Sequence, residues 1–320
     1  MKKFEYMTVK AVTSDDDMSH LDDWFNELGS EGWELVTAAN DDSQDDDGDT
    51  YTEYIWYTFK RAYANKKIYE YQTFRRPVYN VSLSLRRDWF NEQGAEGWEL
   101  ATSVCENSMD DDGDTYTEFI WYTFKRKCGS HKHLQFRIEK AVTTDVDLSL
   151  RDEKFDSLGN DSWRIIAAVP DDFTDNDGDT YTKYIWYTFM RQIHVYKKYE
   201  YRNVRANTDY DYDQIDEWFN QYGSEGWEIA VASSDNSMDD DGDTYTEDIW
   251  YTFIRQNNNK RFEYYTIKFS TDSDTETMDN RLDQLGADGW ELVAAASDNS
   301  MDDDGDTYTE TIWYTFKREC

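Results

Sequence analysis

The sequence contains few of the residues that cross-link a chain or span a membrane. Its 320 residues include three cysteines and two prolines. Cys105, Cys128 and Cys320 are odd in number and do not recur at equivalent places, so we expect no disulfide framework and a reducing compartment. No apolar run approaches the roughly 18 residues of a membrane span, and no apolar stretch follows the first residues. We therefore expect no transmembrane segment and no signal peptide.

Basic residues are also scarce. The chain has 33 Lys and Arg against 69 Asp and Glu, which gives a formal net charge of −36. Because phosphates and anionic lipids bind positive surfaces, we expect no direct nucleic-acid partner and no membrane partner. Chains of such charge are disordered when they lack aromatic residues. Here 13 Trp, 25 Tyr and 16 Phe supply large areas to bury, so we expect a folded protein.

One unit of 63 to 65 residues recurs five times along the chain. A tryptophan recurs at steps of 65, 65, 64 and 63, as Trp33, Trp98, Trp163, Trp227 and Trp290. A glycine follows at the same four steps, as Gly48, Gly113, Gly178, Gly242 and Gly305. Repeats at a fixed period indicate an array of stacked units. We place the five repeats at 1–65, 66–130, 131–193, 194–257 and 258–320. No linker rich in Gly, Ser or Pro separates them, so neighbouring repeats are expected to pack together.

Each repeat predicts a strand, then a helix, then two strands. Residues 4–9 alternate apolar and polar, which is typical of a half-buried strand. Leu21, Trp24, Phe25 and Leu28 fall on one helical face, and Gly29 follows where a glycine ends a helix.

A second strand begins at Trp33, and a third covers 50–61. In the third strand Tyr51, Ile55, Tyr57 and Phe59 share one predicted face, whereas Tyr54 and Trp56 share the other. Aromatic residues on both faces indicate burial on both sides, one of them against a neighbouring repeat or a partner.

The fold class predicted from this order is α+β. Each β-α-β-β repeat forms a three-stranded, mostly antiparallel sheet with one helix. An Asp-Gly step between the second and third strands is typical of a hairpin. The five repeats stack either as a pseudo-fivefold ring or as a short superhelical array.

The motif Leu28-Gly29-Ser30-Glu31-Gly32-Trp33-Glu34-Leu35 and the strand end Phe59-Lys60-Arg61 resemble a small domain of unknown function found in bacteria and phages. That family is recognised by a Leu-Gly-x-Glu-Gly-Trp-Glu-Leu core and an aromatic-Lys-Arg end. The resemblance covers nearly all of each repeat, except that the third has Asn160-Asp161-Ser162-Trp163-Arg164. It implies a fold unit and no catalytic residue. The acidic insert and the fivefold tandem are not part of the family pattern.

An acidic loop surrounds the turn glycine of every repeat. In each repeat we compare the three residues before this glycine and the one residue after it. Of these 20 positions in the five repeats, 19 are Asp and the other is Asn176. Short carboxylates in a tight turn suit Ca²⁺, which takes several oxygen ligands. The candidate ligands alternate along each loop: Asp45, Asp47, Asp49, Asp110, Asp112, Asp114, Asp175, Asp177, Asp179, Asp239, Asp241, Asp243, Asp302, Asp304 and Asp306.

The pattern differs from an EF-hand, whose twelfth position should be Glu but is Tyr54 here. A second interpretation is therefore a bare hairpin tip, in which Asp-Gly provides the turn and the charge opposes aggregation. Both interpretations remain open from the sequence.

Other candidate sites are weaker. Cys128, His131 and His133 could ligate zinc, but they occur at a single junction, where a solvated linker is favoured. The four histidines do not recur in register, which argues against a repeated general base and against an enzyme. We expect the recurring Glu34, Glu99, Glu228 and Glu291 to pair with the strand-end Arg61, Arg126, Arg255 and Arg318. Arg164 breaks this pairing in the third repeat.

The sequence favours a non-enzymatic structural or assembly protein, either a phage virion component or a cytoplasmic protein. Its partners are then proteins, including other particle subunits. The alternative is an acidic multivalent binding module or inhibitor that engages a basic partner, including a mimic of DNA. An enzyme acting between repeats is the least favoured class. A high-salt host would account for the acidity without any ligand.

Overall fold

The computed structural model describes residues 2–13, 18–44, 50–64, 67–79, 81–109, 115–129, 132–143, 148–174, 180–210, 212–238, 244–256, 260–301 and 307–320. The helices in these ranges are α1 (Met18–Ser30), α2 (Leu83–Ala95), α3 (Leu148–Asn160), α4 (Tyr212–Ser224) and α5 (Thr275–Ala287). Each has 13 residues, and none in the described part of the chain is long and apolar enough to cross a membrane.

The strands are β1 (Phe4–Val12), β2 (Glu34–Gln44), β3 (Thr50–Ala62), β4 (Tyr69–Pro77), β5 (Glu99–Met109), β6 (Thr115–Lys127), β7 (Leu134–Val142), β8 (Arg164–Thr174), β9 (Thr180–Gln192), β10 (Glu200–Asn207), β11 (Glu228–Met238), β12 (Thr244–Arg255), β13 (Phe262–Ser270), β14 (Glu291–Met301) and β15 (Thr307–Glu319). The order strand, helix, strand, strand therefore occurs five times.

Each repeat forms one antiparallel three-stranded sheet with its last strand in the centre. The strand orders are β1-β3-β2, β4-β6-β5, β7-β9-β8, β10-β12-β11 and β13-β15-β14. In the first sheet Phe4 pairs with Ala62, and Glu34 pairs with Lys60. The junctions between repeats therefore lie at one end of each sheet and the acidic hairpin connections at the other. The predicted α+β class and β-α-β-β unit are confirmed.

The central strand carries an irregularity that changes which side chains are buried. In β3 the pairing with β2 skips Glu53, so this residue bulges out of the ladder. A bulge moves the residues beyond it to the opposite face. Of the predicted face, Ile55, Tyr57 and Phe59 are buried, but Tyr51 is only half-buried. The prediction is therefore wrong at Tyr51.

The helix of each repeat lies between its own sheet and the first strand of the next repeat. In α1 the Phe25 ring centroid lies 4.8 Å from that of Tyr57 in β3 and 6.1 Å from that of Tyr71 in β4. Trp121 of the second repeat joins the same core, which explains the aromatic residues on the second face of the central strand. Trp24, predicted on the buried helical face, is 38% exposed. Every core is thus built by two successive repeats.

A glycine in the last helical turn allows this close packing. A Cβ atom on Gly29 would lie 2.9 Å from the Tyr71 ring and closer still to the Tyr69 carbonyl oxygen. The equivalent glycines face the next repeat in the same way: Gly94, Gly159, Gly223 and Gly286. The prediction that Gly29 ends the helix is wrong, because α1 continues to Ser30 and the left-handed residue is Gly32, with φ of 91°.

The fifth repeat packs on the first through contacts equivalent to those between the first and second repeats. The Tyr71 backbone N–H donates to Asn26 Oδ1 (2.8 Å) and its hydroxyl to the Trp33 carbonyl oxygen (2.9 Å). At the closing interface the Tyr6 N–H donates to Asp283 Oδ1 (2.5 Å) and its hydroxyl to the Trp290 carbonyl oxygen (3.2 Å). The repeats therefore close into a pseudo-fivefold ring, and the superhelical alternative is not adopted.

Candidate functional site at the pseudo-fivefold axis

The second strands of all five repeats surround the axis of the ring. A cavity of about 70 Å³ is lined by residues of β2, β5, β8, β11 and β14. Further along the same strands, one buried Asp or Asn of each repeat occupies an equivalent position. These residues are at most 6% exposed, and we call them the axial ring: Asp42, Asn107, Asp172, Asn236 and Asn299.

Threonines of the central strands connect the axial ring from one repeat to the next. The Thr52 hydroxyl donates to Asp42 Oδ1 (2.5 Å) and accepts the backbone N–H of Asn107 in the next repeat (2.8 Å). The same two bonds recur at Thr117, Thr182, Thr246 and Thr309. The last of these threonines accepts from Asp42, so the hydrogen bonds form a complete circle. A buried circle in which each hydroxyl both donates and accepts stabilises a single register between repeats.

Two carboxylates and three amides share the centre of the axial ring. Asn107 Nδ2 lies 3.1 Å from Asp42 Oδ2 and 3.1 Å from Asp172 Oδ2. Asn236 Nδ2 donates to Asp172 (3.0 Å), and Asn299 Nδ2 donates to Asp42 (3.2 Å). Every carboxylate thus has an amide donor on each side. Because five positions cannot alternate strictly, two amides, Asn236 and Asn299, are neighbours.

Burial makes one of these carboxylates easy to protonate. Asp172 is 1% exposed, and loss of water raises its pKa to about 6, with the Asp42 carboxylate adding to the rise. Hydrogen bonds from Thr182 and Asn236 oppose the shift. The axial ring therefore holds a group that titrates between neutral and mildly acidic pH.

A carboxylate next to each axial-ring position, buried in four repeats and partly buried at Asp298, joins a tryptophan to a basic residue. Asp171 accepts from Trp186 Nε1 at 2.9 Å and lies 2.6 Å from Lys140 Nζ. The other four sets are Lys10, Asp41 and Trp56; Arg75, Glu106 and Trp121; Arg205, Asp235 and Trp250; and Lys268, Asp298 and Trp313. Burial raises the pKa of Asp235 to about 7 in spite of Trp250 and Arg205. These sets fix each tryptophan as it enters the core of the preceding repeat.

The predicted calcium ligands, Asp45 to Asp306, all lie outside the described residues. The strands that flank them are described: β2 ends at Gln44, whose Oε1 accepts the Thr307 N–H of the fifth repeat (2.8 Å). Because every hairpin connects the same two strand ends, all five acidic loops start from one end of the ring, which we call the loop end. In the part of the chain that is described, no three His, Cys, Asp or Glu side chains come together as metal ligands.

The opposite end, where one repeat continues into the next, we call the joint end. There the recurring Glu pairs with a lysine of the next repeat: Glu34 with Lys125 at 2.9 Å and Glu291 with Lys60 at 2.5 Å. Burial alone would raise the pKa of Glu34, but Lys125 and Lys60 outweigh it and hold the pKa at about 2. Glu228 pairs in the same way with Lys317.

The predicted pairing of these glutamates with the strand-end arginines is wrong. Arg61 instead binds Glu5 of its own first strand at 2.7 Å and stacks 4.2 Å from the centre of the Trp33 ring. Antiparallel pairing of β1 with β3 places Glu5 opposite Arg61, which sequence spacing does not reveal. The other strand-end arginines that stack on the repeat tryptophan are Arg126, Arg191, Arg255 and Arg318.

The divergent third repeat is compensated by its neighbours. Met190 replaces the lysine that would reach Glu99, and Lys132 pairs with Glu99 instead at 3.0 Å. Arg164 replaces the glutamate, and Ile254 replaces the lysine that would face it. Both changes remove a charge pair without leaving an unpaired buried glutamate.

A second substitution in the third repeat is also matched. In the first repeat Ser43 Oγ lies 3.1 Å from Glu53 Oε2. In the third, Phe173 and Lys183 occupy these two positions, and Lys183 Nζ lies 3.8 Å from the centre of the Phe173 ring. A hydrogen-bonded pair is thus exchanged for a cation–π pair.

The candidate zinc ligands are only partly described. Cys128 is exposed, and His133 Nδ1 lies 3.2 Å from the Ala95 carbonyl oxygen, while His131 lies outside the described residues. Cys105 lies beside the axis, and burial raises the pKa of its thiol well above the usual value. A thiol with a raised pKa is a poor nucleophile.

Comparisons with known proteins give no relative. The sequence matches no protein-family model, and no curated protein and no solved structure is significantly similar to it.

The axial ring is the feature that sequence reasoning missed. Its members recur at steps of 65, 65, 64 and 63, and each is Asp or Asn. The sequence contains this periodic Asp or Asn, but the aspartates of the neighbouring loop make it hard to distinguish. The buried Thr of the central strand, ten residues after each ring member, is the second signal.

Proposed function

We propose that this chain is a non-enzymatic structural or assembly protein whose ring holds five acidic loops at one end. The observation that carries this proposal is the closure of the ring, because it places the strand ends that flank all five loops on the same side. Buried polar groups at the axis are engaged in bonds between repeats, which is what a rigid scaffold requires. The resemblance of each repeat to a phage domain supports a virion component as the setting, with other particle subunits as partners.

The acidic loops bind Ca²⁺ in this proposal. Their 19 aspartates in 20 aligned positions supply the short oxygen ligands that Ca²⁺ takes, and a bound cation relieves the repulsion between them. The test is thermal unfolding in EDTA and then in a Ca²⁺ or Mg²⁺ series at constant ionic strength. Each occupied loop stabilises the fold by about 2.7 kcal/mol when free Ca²⁺ is 100 times its Kd. We expect a midpoint that rises with Ca²⁺ concentration and less with Mg²⁺.

A loop variant makes the test specific. Replacing Asp110, Asp112 and Asp114 by Asn removes one of five loops and should lower the Ca²⁺-dependent rise by about one-fifth. Glu217→Gln on the exposed face of α4 is the matched control, and it should leave the rise unchanged. Identical midpoints in EDTA and Ca²⁺ would reject calcium binding and leave the loops as charged hairpin tips.

The alternative function is a multivalent binding module for a basic partner. All five loops connect strand ends at the loop end, which favours this function, because a partner that spans several loops gains avidity without new contacts. Binding of a basic peptide that is equally strong in EDTA and in Ca²⁺ would support this alternative.

A further inference from the structure

The basic residues of this acidic chain are concentrated at the joint end. Of the residues that the structure describes, 17 Lys and Arg lie in six segments, 2–5, 60–70, 125–135, 190–200, 254–263 and 317–320. Nine Glu lie at the same end: the five in these segments and Glu34, Glu99, Glu228 and Glu291. Antiparallel pairing of the first and last strands brings all six to the same end of the ring. Lys and Arg therefore outnumber Glu at the described part of the joint end, whereas the sequence of the loops that leave the other end is acidic.

One lysine recurs in register at every junction. The series is Lys2, Lys67, Lys132, Lys197 and Lys260, at steps of 65, 65, 65 and 63. Lys132 pairs with Glu99, and Lys260 pairs with Glu319. Lys2 and Lys67 form no ion pair with any residue that the structure describes. Lys2 also helps to lower the pKa of Glu291, but neither lysine is held in an ion pair in the described ranges, so both can reorient toward a ligand.

Two adjoining cavities open beside these lysines. The first, of about 600 Å³, is lined by Lys2, Lys3, Lys60 and Lys67. The second, of about 520 Å³, shares Lys67, Glu34 and Tyr69 with the first. Together they expose eight Lys and Arg side chains against three glutamates.

The three glutamates are already neutralised within the protein. Glu291 lies 2.5 Å from Lys60, Glu34 lies 2.9 Å from Lys125, and Glu99 lies 3.0 Å from Lys132. The remaining positive charge is then carried by exposed lysines that have no ion pair in the described ranges. These are Lys2, Lys3, Lys67 and Lys127.

The acidic loops do not cancel this local charge. The central strands have 12 or 13 residues, so about 40 Å separates the joint end from the loop end at about 3.3 Å per residue. The Debye length is about 8 Å at physiological salt. A ligand at the joint end therefore responds to the lysines rather than to the net charge of −36.

We propose that the two cavities form one binding site for a small ligand that carries several phosphate groups. Lysines on flexible stems bind phosphate as point charges, and several converging on one space favour a ligand with several anionic groups. Each cavity has the volume of small-molecule sites, about 300–1,000 Å³. Tyr63 and Tyr69 on its walls offer apolar surface to the rest of a nucleotide. This site is separate from the loops and does not depend on the function proposed above.

The test is isothermal titration of the full chain with inorganic tripolyphosphate and, separately, with ATP, both in EDTA. We expect saturable binding of one ligand per chain, weakened as salt rises from 50 to 200 mM. The double variant Lys2→Gln with Lys67→Gln should lose at least tenfold in affinity for tripolyphosphate. Lys197→Gln, at the equivalent place in another junction, is the matched control and should change affinity less than twofold. Thermal midpoints equal to the wild type show that the variants fold.

The two ligands distinguish the source of the phosphates. Tighter binding of ATP than of tripolyphosphate supports a nucleotide, in which the tyrosines contact the base or ribose. Equal affinities support the same site with a free polyphosphate. No saturable binding of either ligand at millimolar concentration overturns the proposal, and so does an equal loss in Lys197→Gln. Binding of a single-stranded oligonucleotide without binding of tripolyphosphate overturns it in favour of a nucleic-acid surface.

Discussion

Replacing Gly286 by Ala tests whether the ring is closed in solution. Gly286 lies in the last turn of α5, and a Cβ atom there would lie 2.8 Å from the Tyr6 ring and closer to the Phe4 carbonyl oxygen. Both belong to the first strand of the chain, so the clash exists only if the fifth repeat packs on the first. Gly29 has the same environment at the interface between the first and second repeats.

The two states of the ring predict opposite signs. In a closed ring the helix must move away from a backbone carbonyl, and overpacking of this kind costs about 1–3 kcal/mol. The Tyr6 hydroxyl would also weaken its bonds to Leu292 and Trp290, each contributing about 1 kcal/mol. Alanine regains about 1 kcal/mol of helix propensity. We expect a net loss of about 2–4 kcal/mol. In an open chain only the propensity remains, so Gly286→Ala would stabilise the protein by about 1 kcal/mol.

The measurement is urea unfolding followed by tryptophan fluorescence, with Gly29→Ala as the matched variant. Both variants should lower the midpoint by similar amounts. If Gly286→Ala raises the midpoint while Gly29→Ala lowers it, the first and fifth repeats do not pack together and the closed ring is refuted. Both variants should sediment as monomers in sedimentation velocity. A chain opened at one interface can exchange repeats with a second copy and would then sediment as a dimer.

Two further predictions concern the buried carboxylates. Asn107→Asp would place three carboxylates in succession around the axial ring and should destabilise the protein by several kcal/mol in urea unfolding at pH 8. Asn236→Asp creates only one pair of neighbouring carboxylates, so it should destabilise the protein less. Equal losses of stability in the two variants would contradict the observed order of residues around the ring. Stability of the wild type should rise as the pH falls from 8 to about 5. The folded-state pKa values of Asp172 (about 6) and Asp235 (about 7) exceed the unfolded value, so the folded state binds more protons in this window. For Asp172 alone, pH 5 lies one unit below its folded-state pKa of about 6, which corresponds to a gain of about 1.4 kcal/mol over this window. Below about pH 4 stability should fall again, because Glu34, whose folded-state pKa is held at about 2, becomes protonated. A thermal midpoint that falls steadily from pH 8 to 5 would contradict the expected rise.

The sequence predicts the repeat and its elements well because those signals are local. Alternation in 4–9, the apolar helical face around Phe25 and the Asp-Gly step each depend on neighbours within one turn or one strand. The errors arise where a tertiary contact decides. By residue type Gly29 predicts a helix end, but its missing side chain instead allows the helix to contact Tyr69 and Tyr71 of the next repeat. Tyr51 leaves its predicted face because a single bulge at Glu53 changes the parity of the strand.

The candidate site was harder to predict because it exists only when five repeats meet. No single repeat shows that Asp42 lies beside Asn107, since the two are 65 residues apart and belong to different sheets. Carboxylates at every position of the ring would repel one another, whereas each of the three amides donates through Nδ2 to a carboxylate and accepts from a threonine through Oδ1. The five copies therefore cannot all carry Asp at this position, although their backbones are equivalent. The differences between repeats at the axis are therefore matched across the contacts between neighbouring repeats, and the paired changes at Arg164 and Ile254 are matched in the same way at the joint end.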